Sequence, residues 1–392
     1  MLSGNGDGTF QASATLFPAI AAFSGFSFFD QSLAARDVNG DGTLDLIVLT
    51  MSGVVDVHMG DGKGAFPKTH SYKLPDQQTF GPFGIILADF NLDGKLDIAA
   101  YGGIALGNGD GTFQGWSGVA TPPFLQSDMA LGRFDKNALP EVAALWNNTN
   151  NPNSVYIYSN DGTGALSLTH TYNLPQPCSA IDSADLNHDG NLDLVLEGAD
   201  PITNDWGYTI LMGNGDGTFQ SPAFHPQSVG NSQFKVVIAD FNRDGKPDLA
   251  VPAGNSVAVL LGNGDGTFGA PVYFDDAEAN SIVSADFNGD HKLDIAAGGN
   301  NGLALLLGNG DGTFQPARFP FTSSVFGTLL TADLNGDGKA DLVGDWYIFL
   351  GAGDGTFEFS QLPTETYVSD LADMNADGTP DAHSQPGARK QS

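Results

Sequence analysis

The apolar residues of this chain occur in short runs that alternate with polar and glycine-rich segments. Between Phe234 and Phe274 the runs read FKVVIA, LAV, SVAVLLG and APVYF, each three to seven residues long. They are rich in β-branched and aromatic side chains, and no stretch shows a helical period long enough to compete. The pattern therefore predicts four short β-strands in a unit of about 48 residues.

A nine-residue acidic segment lies between the first two runs and recurs along the chain. It has Asp at positions one, five and nine, Asn at position three and Gly at position six. A degenerate copy, RFDKNALPE, begins at Arg133, and successive copies start 40 to 55 residues apart. The intact copies begin at Asp37, Asp89, Asp185, Asp240, Asp286, Asp333 and Asp373.

A glycine-rich motif follows the third run of each unit. GNGDGTF starts at Gly4, Gly107, Gly213, Gly262 and Gly308, GAGDGTF starts at Gly351, and looser versions begin at Gly60 and Asn160. Asn-Gly and Asp-Gly supply the positive φ angles of a tight hairpin, and the Phe anchors the turn on an apolar layer. We therefore interpret the motif as a structural turn rather than a ligand site.

Four antiparallel strands repeated at this period predict an all-β fold, a β-propeller of four-stranded blades. Complete units span residues 24–363, and seven blades are favoured. Partial units at residues 1–17 and 366–381 could combine into an incomplete eighth blade, which is the alternative. We expect one propeller over residues 1–381 and a polar tail over residues 382–392. Met1 falls inside a repeat, so the gene product is expected to begin upstream.

Composition narrows the function. The formal charge of −31 disfavours binding to nucleic acid, whereas 41% hydrophobic residues can build a core. No apolar run approaches the length of a membrane span, and residues 1–10 lack the features of a signal peptide. The single Cys178 excludes an internal disulfide and is expected to be a small core or loop residue.

The acidic segments have the chemistry of calcium loops. Oxygen-bearing side chains at positions one, three and five can point toward one centre, glycine permits the sharp turn, and Asp at position nine closes the shell. Position twelve is apolar or small and lies inside a predicted strand, which disfavours the helical calcium hand. An Asx-turn without an ion is the alternative for one copy, but seven copies with the same polar positions disfavour it.

We therefore predict about seven structural Ca²⁺ ions. The predicted ligands are Asp37, Asn39, Asp41 and Asp45; Asp89, Asn91, Asp93 and Asp97; Asp185, Asn187, Asp189 and Asp193; Asp240, Asn242, Asp244 and Asp248; Asp286, Asn288, Asp290 and Asp294; Asp333, Asn335, Asp337 and Asp341; and Asp373, Asn375, Asp377 and Asp381.

The degenerate copy is predicted to bind no metal. Arg133 replaces the first Asp, and its guanidinium is expected to pair with Asp135 and Glu141 in place of an ion. In another copy His291 replaces the glycine. Histidine is enriched among non-glycine residues at positive φ, so that site is expected to persist in a weakened form.

These motifs resemble the FG-GAP / VCBS repeats of bacterial surface and secreted proteins. The residues that carry the resemblance are AD-F/L-N-x-D-G-x-x-D-L/I alternating with LLGNGDGTF over almost the whole chain. The loops are also similar to those of the integrin α-subunit propeller. The resemblance implies a calcium ion in each intact loop, between the first two strands of a blade. It also implies an extracellular or cell-surface location and roles such as adhesion or carbohydrate binding.

No catalytic motif is present. HExxH, GxSxG, phosphate loops and CxxC are all missing from the sequence, and Lys plus Arg number only 15. The sequence favours a non-enzymatic calcium-binding interaction module with an extracellular protein or glycan ligand. The alternative is the propeller of a polysaccharide-acting enzyme such as a lyase.

Aromatic residues in two longer insertions are candidate ligand contacts. LWNNTNNPN contains Trp146, and NDWGY contains Trp206 and Tyr208. Loops on a rigid scaffold often carry function, and exposed aromatic rings can stack on sugars. We therefore predict that these three residues contact a ligand, with packing as the alternative role.

Overall fold

A computed structural model of the protein describes residues 5–7, 9–10, 33–50, 53–63, 65–74, 85–100, 103–118, 128–146, 153–199, 206–227, 236–253, 255–275, 279–325, 328–344, 347–362, 366–373 and 380–386. All regular secondary structure in these ranges is β-strand. The strands form seven four-stranded antiparallel sheets and one two-stranded sheet. The predicted all-β class and the seven blades are confirmed.

The first four sheets lie within residues 28–227, which form one compact unit. Their strands are β1 (Leu33–Arg36), β2 (Asp45–Leu49), β3 (Val54–Met59) and β4 (Lys68–Lys73); β5 (Ile86–Ala88), β6 (Asp97–Ala100), β7 (Gly103–Ala105) and β8 (Ser117–Gly118); β9 (Asp128–Gly132), β10 (Glu141–Trp146), β11 (Ser154–Asn160) and β12 (Leu166–Asn173); and β13 (Cys178–Ala184), β14 (Asp193–Ala199), β15 (Trp206–Leu211) and β16 (Ala223–Gln227).

The other sheets belong to a second unit, made of residues 1–27 and 228–392. Their strands are β17 (Val237–Ala239), β18 (Asp248–Ala253), β19 (Ser256–Leu260) and β20 (Val272–Asp275); β21 (Ser281–Ala285), β22 (Asp294–Gly299), β23 (Gly302–Leu306) and β24 (Arg318–Phe321); β25 (Leu329–Ala332), β26 (Asp341–Gly344), β27 (Tyr347–Gly351) and β28 (Phe357–Gln361); and the pair β29 (Thr366–Ala372) and β30 (Asp381–Pro386).

Strand order in every four-stranded sheet follows chain order. The acidic segment connects the first strand to the second, and the glycine-rich motif connects the third to the fourth. In an antiparallel meander these two connections lie at the same end of the sheet. The fold therefore brings each acidic segment next to the glycine-rich turn of its own repeat.

The middle strands of the sheets are buried on both faces. All residues of β18 and of β19 are buried, as are those of β22 and β23. Their side chains belong to hydrophobic clusters shared by neighbouring sheets within a unit. This explains the nearly continuous apolar runs, since a strand covered on both faces needs no polar side. Fourth strands such as β12 instead alternate exposed and partly buried residues.

The end of the chain differs from the expected polar tail. Strand β30 begins at Asp381 and continues to Pro386, where it pairs with β29 from Ala372 back to Thr366. The backbone hydrogen bonds of this ladder do not require apolar side chains, so a polar sequence can form the strand. At the other end, Phe10 is buried in a cluster with Leu334 and Val343, to which Leu371 of β29 also contributes.

Candidate metal-binding loops

The six regular acidic loops of the described residues share one backbone shape. Position six has positive φ in each of them, with Gly245 at 83° and His291 at 63°. The left-handed conformation predicted for His291 is therefore present. Position four also has positive φ, even where it is Leu92, His188 or Arg243. The sequence pattern did not reveal this second requirement, because position four varies freely.

Side-chain oxygens at positions one, three and five fold inward to accept backbone hydrogen bonds. In the loop from Asp240, the Asp240 carboxylate accepts from the amides of Asp244 at 3.1 Å and Gly245 at 2.9 Å. The Asn242 side chain also accepts from Asp244 at 2.9 Å. Asp244 in turn accepts from the amide of Lys246. The loop thus gathers acidic and amide oxygens within a few residues, as the calcium hypothesis requires.

The Asp at position nine has a different environment. In all six regular loops it is the first residue of the second strand and has no exposed surface. One oxygen of Asp248 accepts from the amide of Phe241 at 2.9 Å, and the other accepts from Gly262 at 2.8 Å. Phe241 lies at position two of the loop, and Gly262 opens the glycine-rich turn.

We call this pair of hydrogen bonds the Asp bracket. The other five brackets have the same two donors in their own repeats, with donor–acceptor distances of 2.7–3.0 Å, at Asp45, Asp97, Asp193, Asp294 and Asp341. The bracket joins the acidic loop to the turn beside it. Position nine was predicted only as a metal ligand, so this structural role is a finding of the structure.

Burial dominates the electrostatics of the bracket residues. Desolvation raises the pKa of all six carboxyl groups, against the lowering effect of the two backbone donors. For Asp294 the pKa rises to about 6, and the charges of Asp290 and Asp286 add to the shift. The exposed Asp244 behaves oppositely, since the backbone hydrogen bond from Lys246 lowers its pKa.

A lysine at position seven neutralises part of the charge in four of these loops. The closest pair joins Lys292 Nζ to Asp290 at 3.0 Å, and Lys95, Lys246 and Lys339 form similar pairs at 3.2–3.5 Å. Such exposed ion pairs contribute little to stability. A cation in the loop would therefore compete with a weakly held ammonium group for one oxygen of position five.

The donor atoms of the loops fit calcium, which prefers six to eight oxygen ligands. Within the described residues, no three His, Cys, Asp or Glu side chains converge closely enough to hold a metal ion by themselves. A calcium shell would accordingly need the Asn oxygen of position three and backbone carbonyls as well as carboxylates. The seventh loop is described only in part: Asn375, Asp377 and the side chain of Asp381 lie outside the described residues.

The degenerate loop does not contain the predicted ion pairs of Arg133 with Asp135 and Glu141. Arg133 is exposed, and none of the ion pairs between described residues includes it. Glu141 is instead fully buried and accepts from the amides of Phe134 at 3.0 Å and Asp135 at 2.9 Å. Backbone amides thus occupy the Glu141 carboxylate, whereas the Arg133 side chain is exposed to solvent. The predicted ion pair is therefore wrong, although the expectation that this loop binds no metal stays a prediction.

The glycine-rich turns have the predicted conformation. In the turn from Gly262, Gly264 and Gly266 have φ of 78° and 80°. A Cβ on Gly264 would lie 2.8 Å from Cδ of Lys246, so the lysine stem covers this glycine. The turn and the acidic loop of one repeat are thus in contact through both the lysine and the Asp bracket.

Several turns also contact the preceding sheet of their own unit. The Gly217 amide donates to the carbonyl of Phe134 at 3.0 Å, and the Gly355 amide donates to that of Phe287 at 3.0 Å. Both acceptors lie at position two of the preceding acidic loop. Gly111 has φ of 79°, a conformation that favours glycine, and it lies against the Met59 side chain of the preceding sheet.

The aromatic candidates from the two insertions are not equivalent. Tyr208 is only 3% exposed and stacks on His225 with centroids 4.9 Å apart, and burial raises its pKa to about 12. Its burial does not fit the predicted ligand-binding role. Trp146 is partly buried and lies edge-on to Tyr156. The side chain of Trp206 lies outside the described residues. Cys178 is buried, which places it in the core rather than in a loop.

The sheets and loops together define a repeat β-propeller with an acidic loop in each blade. A family model for the FG-GAP-like repeat matches residues 37–100, 133–196, 202–251, 240–297 and 286–343. The chain belongs to this family. A comparison with curated protein sequences finds no match.

Several solved structures resemble the chain at low identity. One is an Agrocybe aegerita lectin that recognises non-reducing terminal N-acetylglucosamine; it is 20% identical, with 90% of this chain and 98% of that chain covered and a TM-score of 0.48. BBS1N in complex with ARL6DN is 12% identical, with 86% and 94% covered and a TM-score of 0.47. The V. cholerae biofilm matrix protein Bap1 is 12% identical, with 91% and 82% covered and a TM-score of 0.34. No helix among the described residues is long and apolar enough to span a membrane.

Proposed function

We propose that this protein is a calcium-stabilised, non-enzymatic interaction module that acts outside the cell. The observation that carries the proposal is the common geometry of six acidic loops, each of which presents the same oxygen atoms at positions one, three and five. Calcium would supply the positive charge that holds these oxygens together. The ligand of the protein would be an extracellular protein or a glycan.

Charge supports the calcium part of the proposal. Seven Ca²⁺ ions would add 14 positive charges and bring the formal charge from −31 to −17. With a Kd of ~0.1 mM and ~2 mM calcium, linkage gives about 1.8 kcal/mol of stability per site. The sum over seven independent sites is on the order of 10 kcal/mol, comparable with the stability of a whole domain. Sites with this assumed Kd would be nearly empty in cytosol, so the calcium role that we propose requires an extracellular location.

Thermal melts with excess calcium and with EDTA test this proposal, together with metal analysis by mass spectrometry. We expect six to eight calcium ions per chain and a large drop in Tm when EDTA removes them. A chain that melts at the same temperature in both conditions and carries no calcium would overturn the proposal. The acidic loops would then be Asx-turns that need no ion.

A further inference from the structure

We propose that a groove between the sixth and seventh sheets binds an uncharged saccharide. The groove has a volume of about 530 Å³ and is lined by residues of β24, β27 and β28 together with the segment after β24. This size is typical of sites for small ligands. The inference deepens the proposed interaction function, because it names a site and the chemical class of its ligand.

Aromatic rings form one part of the groove. Phe321 is buried and contacts both Tyr347, with centroids 4.5 Å apart, and Phe359, with centroids 4.8 Å apart at 61°. Phe359 is nevertheless 57% exposed. A ring supported by a buried neighbour holds its orientation while its outer surface stays in water. Such a surface suits the C–H face of a pyranose ring, which is apolar while its edges carry hydroxyl groups.

Polar side chains form the rest of the groove. Thr322, Ser360 and Gln361 are exposed and line it. None of the side-chain hydrogen bonds between described residues uses these three groups. Hydroxyl and amide side chains can both donate and accept hydrogen bonds, as sugar hydroxyls require. Apolar ring faces beside free neutral polar groups match the two chemistries of a saccharide.

The groove differs from the rest of the molecule in its charge. None of its lining residues is charged at neutral pH, whereas the chain carries a formal charge of −31. The surrounding negative potential disfavours acidic ligands such as uronates. A neutral saccharide pays no such electrostatic penalty, and the groove contains no carboxylate to bind a basic peptide.

A proline-rich peptide is the other ligand that aromatic grooves commonly bind. Such a peptide offers carbonyl acceptors but almost no hydrogen-bond donors, so the acceptor oxygens of Thr322, Ser360 and Gln361 would receive no hydrogen bond from it. The polar half of the groove therefore favours the saccharide.

Saturation-transfer NMR and calorimetry on the full chain in millimolar calcium test the inference. The probes are the methyl glycosides of glucose, galactose, mannose and N-acetylglucosamine, with galacturonate and a ten-residue proline peptide as contrasts. We expect at least one neutral glycoside to bind, and galacturonate and the peptide to bind less well. The Phe359→Ala variant should weaken glycoside binding at least tenfold.

Phe319→Ala provides a matched control. Phe319 is 40% exposed and lies on β24 but does not line the groove, so its loss should change binding less than twofold. In thermal melts with excess calcium, the Tm of both variants should equal that of the unsubstituted chain. Failure of every neutral glycoside, preferential binding of the peptide, or equal binding by the Phe359→Ala variant would overturn this site. Glycoside binding that Phe359→Ala leaves intact would still support a glycan-binding module, which separates the two proposals.

Discussion

The regular loop from Asp240 and the degenerate loop from Arg133 occupy the same place in their sheets but have kept different residues. Both have a buried acid at position nine, Asp248 in one and Glu141 in the other, and in both this acid accepts from the amide at position two. Only the regular loop has an acid at position one. The shared feature is thus the buried acceptor, and the lost feature is the exposed cluster of oxygens.

This difference distinguishes two roles within the acidic motif, one in folding and one in the proposed binding of an ion. A blade that has lost the first Asp still needs a carboxylate at the start of its second strand. This carboxylate accepts the backbone amide at position two of the loop, and a buried amide without a partner is costly. Positions one and five, both Asp in the regular loop, are Arg133 and Asn137 in the degenerate loop, which keeps its buried acceptor without them. We therefore assign position nine to folding, and the proposed calcium role rests on positions one, three and five.

The largest expected effect comes from removing the buried acid in either loop. Asp248→Ala and Glu141→Ala each leave two backbone amides without their acceptor, so each should lower the free energy of unfolding by about 3 kcal/mol. Urea unfolding in EDTA measures this without any metal contribution. Asp244→Ala, an exposed position, is the control. A loss seen for Asp248→Ala only in calcium would show that position nine acts through the ion.

A smaller effect should follow from the exposed acids. Asp240→Ala should remove one calcium ion per chain and about 2 kcal/mol of stability in ~2 mM calcium, by the linkage that applies to one site. Asp135→Ala in the degenerate loop should leave the calcium count unchanged. Mass spectrometry of the two variants makes the comparison. If both lose an ion, the degenerate loop binds metal and the contrast between the loops disappears.

The smallest effect is expected from restoring position one alone. Among the described residues neither Lys136 nor Ala138, at positions four and six of the degenerate loop, has positive φ. Arg133→Asp should therefore add no calcium, since the backbone would not direct the oxygens to one centre. The triple change Arg133→Asp, Lys136→Gly and Ala138→Gly should add one ion. Calcium gained by the single change would mean that backbone shape is not limiting.

Much of the fold could be read from the sequence because its signals are local and repeated. The apolar runs gave the strands, as with SVAVL at Ser256–Leu260, and the Gly-Asn-Gly-Asp-Gly turns gave their connections. Strand β30 was missed because its residues are polar and its backbone pairing with β29 leaves no mark in side-chain pattern.

The candidate site was predicted less completely. Positions one to nine could be recognised by spacing, but the Asp bracket joins Asp248 to Gly262, fourteen residues further along the chain. No local pattern shows such a contact. Arg133 was expected to pair with Asp135 and Glu141 because opposite charges were close in sequence. In the structure one oxygen of Glu141 accepts two backbone amides instead, an arrangement that only the folded backbone reveals.

The contacts of the glycine-rich turns have a direction. The Gly217 and Gly355 amides reach back to Phe134 and Phe287, and each acceptor belongs to the repeat that comes earlier in the chain. Within each of these pairs the later repeat docks on a surface supplied by the earlier one. A ribosome delivers the repeats in that same order, so the carbonyl on which a new turn docks leaves the exit tunnel before the turn itself.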